Sequence, residues 1–563
     1  MKNRLLALAL CVAMLLTMGS VALAASENPN VGFGLFPGTS EPGAITIQCN
    51  TQDQMNPIKQ TYSNEFSINR HIFDCLVKLS ADDNSVVPAA AESWESSEDG
   101  LTWTFHLREG AKWVDSTGAV VADVTAKDFV FGWSELINPA NACEYAYFGF
   151  VFKNAEKYYN GECTLDEVGF KAVDDYTLVC ELENYLPYFL QYVKFEVMTP
   201  IYEPFYTEVG ADNYGTAPDK MLYNGAFYMT EYVLENHVTV MRNAAWRDAD
   251  QVELQKITFI KQTDTNALLN AFMGGEIDVI DLTDGSMRKS LNGMGYQTIN
   301  YAGGYGYFYW TNDVDPNRDI SNVNLRKAIS YAIDRTALIA TVYQNDNVPS
   351  QALAFGITGV NTEFFSDVAL AANGGEPYYN ATTDAEAAQA YLAAALDELG
   401  KTVDQLDITI MINRGTLNEL NAQVVQEQVR SVLGIEMKTE VLESAEWRAR
   451  RNAHEFDLAH GGWGPDYNDP MTDLDLFETG GGNNHTGYSN PEYDALLAAA
   501  RVELDPTARE QIFVQLEQLI ANDQIVIPTY WAYDDYAVSE KIASGFARLP
   551  FQAINFIYTK LAE

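Results

Sequence analysis

Residues 101–108, LTWTFHLR, alternate without a break, with Leu101, Trp103, Phe105 and Leu107 on one face and Thr102, Thr104, His106 and Arg108 on the other. Successive side chains of a strand point to opposite faces, so this stretch predicts a half-buried strand with His106 on its polar side. Elsewhere the period becomes helical. Asn490 before Pro491, and Asp505 before Pro506, each join a capping side chain to a proline at the first helical position, which predicts helices near 491–503 and 506–522. Leu325, Ile329 and Ile333 form one stripe of a helix expected over 324–343, and another helix over 416–433 is closed by Gly434. IEMKTEV, directly after that glycine, alternates again and predicts a strand.

Strand and helix signals interleave in this way along the whole chain, which predicts α/β lobes. The most loop-like internal stretches are 371–383 (AANGGEPYYNATT) and Gly480-Gly481-Gly482-Asn483-Asn484, neither long enough to be a linker. The chain has no internal repeat or low-complexity tract, so solenoids and disorder are set aside.

The first 24 residues change the picture of where this chain works. Lys2 and Arg4 precede an apolar run from Leu5 to Leu16, and Ala22-Leu23-Ala24 supplies small residues for cleavage, the pattern of a secretory signal peptide. The run is too short for a membrane span, and Cys11 lies inside it without the small-residue pattern of a lipid-modified cysteine. A soluble extracytoplasmic protein is expected, periplasmic or freely secreted, beginning near Ala25. The remaining length exceeds what one core serves, so two or more domains are expected.

Cleavage leaves 33 of the 35 Lys and Arg against 78 Asp and Glu, a net charge of −45. Nucleic acid and anionic membranes would be repelled. Cys49, Cys75, Cys143, Cys163 and Cys180 are odd in number and contain no CxxC, which argues against metal or redox chemistry. They leave room for one disulfide within Cys143, Cys163 and Cys180, whose pairing spacing does not fix.

A secreted chain of this size could be a hydrolase, but it carries no GxSxG elbow, no HExxH pair and no P-loop. His454 and His460 are six apart, the wrong spacing for a helical zinc pair, and neither a metal nor a cofactor is expected. Carboxylates are too abundant for a pair of them to signal glycosidase chemistry. Aromatics crowd Tyr145 to Phe152, Tyr301 to Trp310, Trp463 to Tyr467 and Tyr530 to Tyr536. Tyr and Trp join a broad apolar face to a polar tip, which suits a pocket for varied ligands as well as a core.

From about Thr46 to the C-terminus the chain resembles the oligopeptide- and dipeptide-binding proteins of ABC importers, extracytoplasmic solute-binding family 5. The resemblance is carried by PAAAESWESSEDGLTWTFHLREGAKWVDSTG and VTAKDFVFGWSEL between residues 88 and 136, then VGFKAVDDYTLVCELENYLPYF, YNGAFYMTEYV, GGEIDV, NLRKAISYAIDR and GWGPDYNDP in that order. It implies a type II periplasmic-binding-protein-like fold with an interlobe ligand cleft. One lobe would comprise 25–65, 196–300 and 528–563, with an extra family-specific domain at 66–195; the other would be 301–527. A monomer without catalytic chemistry of its own would pass its peptide to the importer's membrane permease.

The same resemblance assigns roles within the cleft. Asp466 matches the aspartate that pairs with the peptide's amino terminus, and Gly462 and Gly464, flanking Trp463, match positions that offer main-chain groups to a ligand. Tyr145 falls at a pocket tyrosine, Trp447 and Arg451 at a pocket tryptophan and arginine, and Thr61 and Tyr62 on a segment that reads peptide backbone. His460 stands where some relatives carry an arginine, and a neutral histidine cannot fork onto a carboxylate. Competing readings are an oligosaccharide or metal-chelate binder on the same fold, and a secreted hydrolase.

Overall fold

The computed structural model describes residues 41–49, 54–80, 85–282, 285–296, 298–343, 356–358, 365–467, 469–549 and 553–562. The signal segment, 1–24, lies outside them.

Ten strands form one mixed sheet: β1 (Ala44–Gln48), β2 (Phe227–Val233), β3 (His237–Arg242), β4 (Lys256–Ile260), β5 (Val279–Asp281), β6 (Thr298–Thr311), β7 (Thr409–Asn413), β8 (Lys438–Leu442), β9 (Leu458–Trp463) and β10 (Val526–Val538). Their order is β2-β3-β4-β1-β5-β10-β6-β9-β7-β8. The sheet therefore has two halves, β1 to β5 and β7 to β9, joined by the long antiparallel pair β6 and β10. That pair slips register between Ala302 and Tyr305 and again between Tyr307 and Phe308. Such slips bend a strand, and here they fall between the two halves. A separate four-stranded sheet contains Ala91–Ser96, Thr102–Leu107, Thr177–Glu181 and Phe170–Ala172 in that spatial order. Thr102–Leu107 is the alternating stretch of the sequence: Phe105 and Leu107 are buried, and His106 lies 4.0 Å from the Glu95 carboxylate.

The helices that position the site are α1 (Ser63–Ile72), α2 (Val323–Ala332), α3 (Ala385–Leu399), α4 (Thr416–Leu433), α5 (Ser444–Asn452), α6 (Pro491–Val502) and α7 (Pro506–Asp523). Helix α1 packs on β2 and α5 on β7, so each belongs to a different half. The Asn490 and Asp505 side chains accept from backbone N–H groups at the starts of α6 and α7, and Gly434 ends α4 at φ 72°. The single helix expected over 324–343 is corrected. It stops at Ala332; Asp334 caps a new short helix, Arg335–Leu338, and Ile339–Tyr343 winds as a π turn. Arg335 is fully buried and donates to the carbonyls of Pro528 and Asn380, contacts that a continuous helix would not direct there. The loop expected at 371–383 begins only after the helix Phe365–Ala372. No disulfide forms within Cys143, Cys163 and Cys180: the first two thiols donate to the Glu135 and Asn154 carbonyls, and Cys180 is buried in the core.

Gly306 of β6 is required where the halves meet. A Cβ there would stand 2.5 Å from the Trp531 ring, which is 2% exposed and has nowhere to swing. Gly306→Ala is expected to destabilise the protein by about 1–3 kcal/mol, read as an earlier denaturant midpoint.

Candidate ligand-binding site

Strand β9 leads into the turn that carries Asp466 and Asp469. Facing strands place Trp463 opposite Gly306 and Gly461 opposite Phe308, and Gly306 is in turn opposite Trp531. Trp463, Gly461 and Trp531 thus share one face of the sheet. A Cβ on Gly461 would meet the Trp310 and Trp447 indoles at 3.1 and 3.3 Å. The indole N–H groups of Trp310, Trp447, Trp463 and Trp531 find no acceptor among the described residues. On its other edge β9 pairs with β7 only at Leu458 and Ala459. Among the described residues no strand pairs with that edge of Gly461–Trp463, which leaves main-chain groups for an added strand.

His460 does not join this group. It is opposite Tyr309 on the reverse face of the sheet, 3% exposed, with the Tyr309 ring 5.0 Å away. Burial pushes its pKa down to about 4, so it is neutral and cannot hold a carboxylate.

The two aspartates of the turn do different work. Asp469 is buried, accepts from the Met471 N–H at 3.0 Å and from Arg509 Nη2 at 2.9 Å, and so fixes the turn against α7. Asp466 donates its N–H to Thr472 Oγ1 at 3.0 Å, while its half-buried carboxyl stands among Tyr145, Tyr147, Lys194, Glu196 and Asp475. Burial raises its pKa to about 8. Asp475 adds to the rise, Lys194 opposes it, Glu196 adds a smaller push, and the Tyr147 hydroxyl works downward by offering a hydrogen bond. Burial likewise holds Asp475 at about 7 and lowers Lys194 to about 8. Three neighbouring carboxylates have arginine partners, Glu196 with Arg70, Asp469 with Arg509 and Glu478 with Arg501. Asp466 has no salt bridge within 4.0 Å among the described residues.

Aromatic rings bring the halves together around this carboxyl. Tyr467 stacks on Tyr188 at 4.7 Å and 9°, with Arg509 over the same tyrosine at 5.4 Å. Tyr145 stacks on Tyr147 and packs against Phe66 and Phe195. Tyr62 caps α1 at the end of a loop that Glu65 ties down through the N–H groups of Gln54 and Thr61. Across the cleft, Arg448 lies over the Tyr62 ring at 4.9 Å, and Arg451 covers Trp447 at 4.8 Å. Sequence reasoning missed Tyr147, Lys194, Asp475 and Arg448. Only Tyr147 carried a local signal, its place in the aromatic run that contains Tyr145.

Two halves joined by the β6–β10 pair, with a carboxyl lacking a salt bridge just beyond an unpaired stretch of strand edge, make a two-lobed molecule of the type II periplasmic-binding-protein-like fold. Residues 85–485 match the family described as bacterial extracellular solute-binding proteins, family 5 Middle, and the chain belongs to that family. It is 30% identical over 484 residues to the oligopeptide-binding protein OppA of Bacillus subtilis (strain 168), covering 84% of each chain. It is 28% identical over 499 residues to the dipeptide-binding protein DppE of the same organism, covering 88% of this chain and 86% of that one. The crystal structure of an oligopeptide ABC transporter substrate-binding domain from Bacillus anthracis str. Ames superposes with a TM-score of 0.79 at 28% identity, covering 93% of this chain and all of that one. No helix among the described residues is long and apolar enough to cross a membrane.

Proposed function

We propose that this chain is the extracytoplasmic receptor of an ABC importer, that it captures peptides between its lobes, and that it delivers them to the membrane permease without chemistry of its own. In this reading it works as a monomer after cleavage near Ala24, in the periplasm or secreted. The lobes divide as 25–65, 196–300 and 528–563, with the extra domain 66–195, against 301–527. The relatives named for oligopeptide and dipeptide binding support the cargo class. The observation that carries it is Asp466, a carboxyl lacking a salt-bridge partner in a desolvated cleft beside an unpaired strand edge.

Each part of a peptide then has a counterpart. The backbone adds to the edge of Gly461–Trp463 and continues along Gly464, which binds many sequences without reading side chains. The amino terminus pairs with Asp466. Tyr145, Trp447 and Trp463 wall the cleft, and Thr61 and Tyr62 face it from the opposite lobe. N-acetylation removes the ammonium and is expected to weaken binding by at least about a hundredfold in calorimetry. Equal affinity for acetylated and free peptides would contradict the assignment.

The raised pKa of Asp466 sets a pH dependence. A carboxyl held at about 8 is largely neutral at pH 7, and an arriving ammonium ionises it. Binding should release a proton, and affinity should rise as pH climbs toward 8, where peptide amines of pKa about 8 begin to lose their charge. Calorimetry at pH 7 in two buffers of different ionisation enthalpy measures that proton directly. Without ligand the sign reverses: the native state holds a proton that the unfolded chain has lost. The stability from neutral Asp466 is therefore complete below its ordinary value of 3.8 and is lost as pH rises through about 8.

A further inference from the structure

A cavity of about 490 Å³ lies away from the cleft. Asp74, on its wall, follows the C-terminal end of α1, roughly 15 Å along that helix from Tyr62, and none of the cleft residues lines it. One side is built from the four-stranded sheet, through Ala90, Glu92 and residues 108–112; the other is built from Asn224 and residues 245–247, which flank β2 and β3. The second side is braced. Asp74 and Asn224 exchange hydrogen bonds of 3.0 and 3.1 Å, the Trp246 indole donates to Asp74 Oδ2 at 2.8 Å, and the Arg247 guanidinium lies 4.6 Å over the Trp246 ring.

Most charges around the cavity are paired, Arg247 with Asp74 and Asp248, and Lys112 with Asp123. Three are not. Arg108 donates through Nε to the Ala89 carbonyl at 2.9 Å, which orients its guanidinium, yet it has no salt bridge within 4.0 Å among the described residues. The same holds for the exposed Glu92 and Glu109. The strand Ala91–Ser96 slips register between Ala91 and Ser93, so Glu92 is the extra residue of a bulge. Bulges re-aim a side chain, and this one lines the cavity. The Arg108 N–H donates to the Ala90 carbonyl at 2.9 Å, which sets Arg108 on the strand beside Glu92 and two residues out of register with it, and Glu109 follows Arg108 directly.

These three groups select for a ligand with both charges. A lone anion would face two carboxylates on a chain where 78 Asp and Glu outnumber 35 Lys and Arg, and a lone cation would leave Arg108 uncompensated. We propose that the cavity is a second ligand site, outside the cleft, that takes a free α-amino acid: its carboxylate on the Arg108 guanidinium in two parallel hydrogen bonds, its ammonium between Glu92 and Glu109. Ala111, Ala245 and the Trp246 ring, which also line the cavity, receive the side chain. The inference does not rest on the peptide reading, because the two sites share no residue. A ligand here bridges two separate parts of the chain, so its binding should raise the unfolding temperature.

The test is titration calorimetry with glycine, L-alanine, L-leucine and L-phenylalanine, each beside its amide, which lacks the carboxylate, and its N-acetyl derivative, which lacks the ammonium. At least one amino acid is expected to bind the wild-type protein, with both derivatives weaker by at least about tenfold. Arg108→Gln, and Glu92→Gln combined with Glu109→Gln, should each weaken it by a similar factor, while Asp466→Asn leaves it unchanged. Because both glutamates are exposed, their variant keeps the test decisive even if Arg108→Gln fails to fold. Binding by none of the four, or a derivative with one charge binding as tightly as its parent, would overturn the proposal. So would binding that is lost in Asp466→Asn and kept in the Arg108 and glutamate variants, which would put the amino acid in the cleft and leave the peptide reading standing.

Discussion

Asp466→Asn is expected to raise the peptide dissociation constant by between about a hundredfold and a few thousandfold. The substitution keeps size and hydrogen-bonding capacity but leaves the ligand's ammonium desolvated and without a counter-charge, a loss of about 3–5 kcal/mol. The ligand-free fold should be untouched, because an amide resembles the neutral carboxyl that Asp466 carries below about pH 8. Proton release on binding should disappear as well. Calorimetry with unchanged affinity and unchanged proton release would remove Asp466 from the site.

Asp469→Ala, three residues on, should have the opposite profile. Asp469 and Arg509 are 9% and 8% exposed, and the arginine's other contacts are the Ala500 carbonyl and the Tyr188 and Phe513 rings. Deleting the carboxylate strands a buried guanidinium, at a cost of about 3–5 kcal/mol in denaturant unfolding of the ligand-free protein. Replacing both members, Asp469→Ala with Arg509→Met, should recover most of that loss because no buried charge remains. If the double variant is no more stable than the single, the pair does not hold the turn through charge compensation.

The contrast between these aspartates shows how far the sequence could be read. Helix starts at Asn490 and Asp505 were legible because the cap and the N–H it satisfies lie within three residues of each other. The break after Ala332 was not, since the groups that capture Arg335 come from around 380 and 528. Asp466 was found from its motif, and what surrounds it was not: Lys194, Asp475 and Arg448 carry no mark in their own neighbourhoods and reach the cleft only through tertiary packing. His460 is the instructive case. It is an odd number of residues from Trp463 in the same strand, so the two must point to opposite faces, but that parity has force only once 458–463 is known to be extended. Alignment alone placed it in the cleft.

What the cleft carries decides the class of cargo. Purified protein, denatured and analysed for released small molecules by mass spectrometry, is predicted to yield short peptides with free amino termini in amounts approaching one per chain. Release of glycans, metal chelates or another non-peptide solute in place of peptides would contradict it.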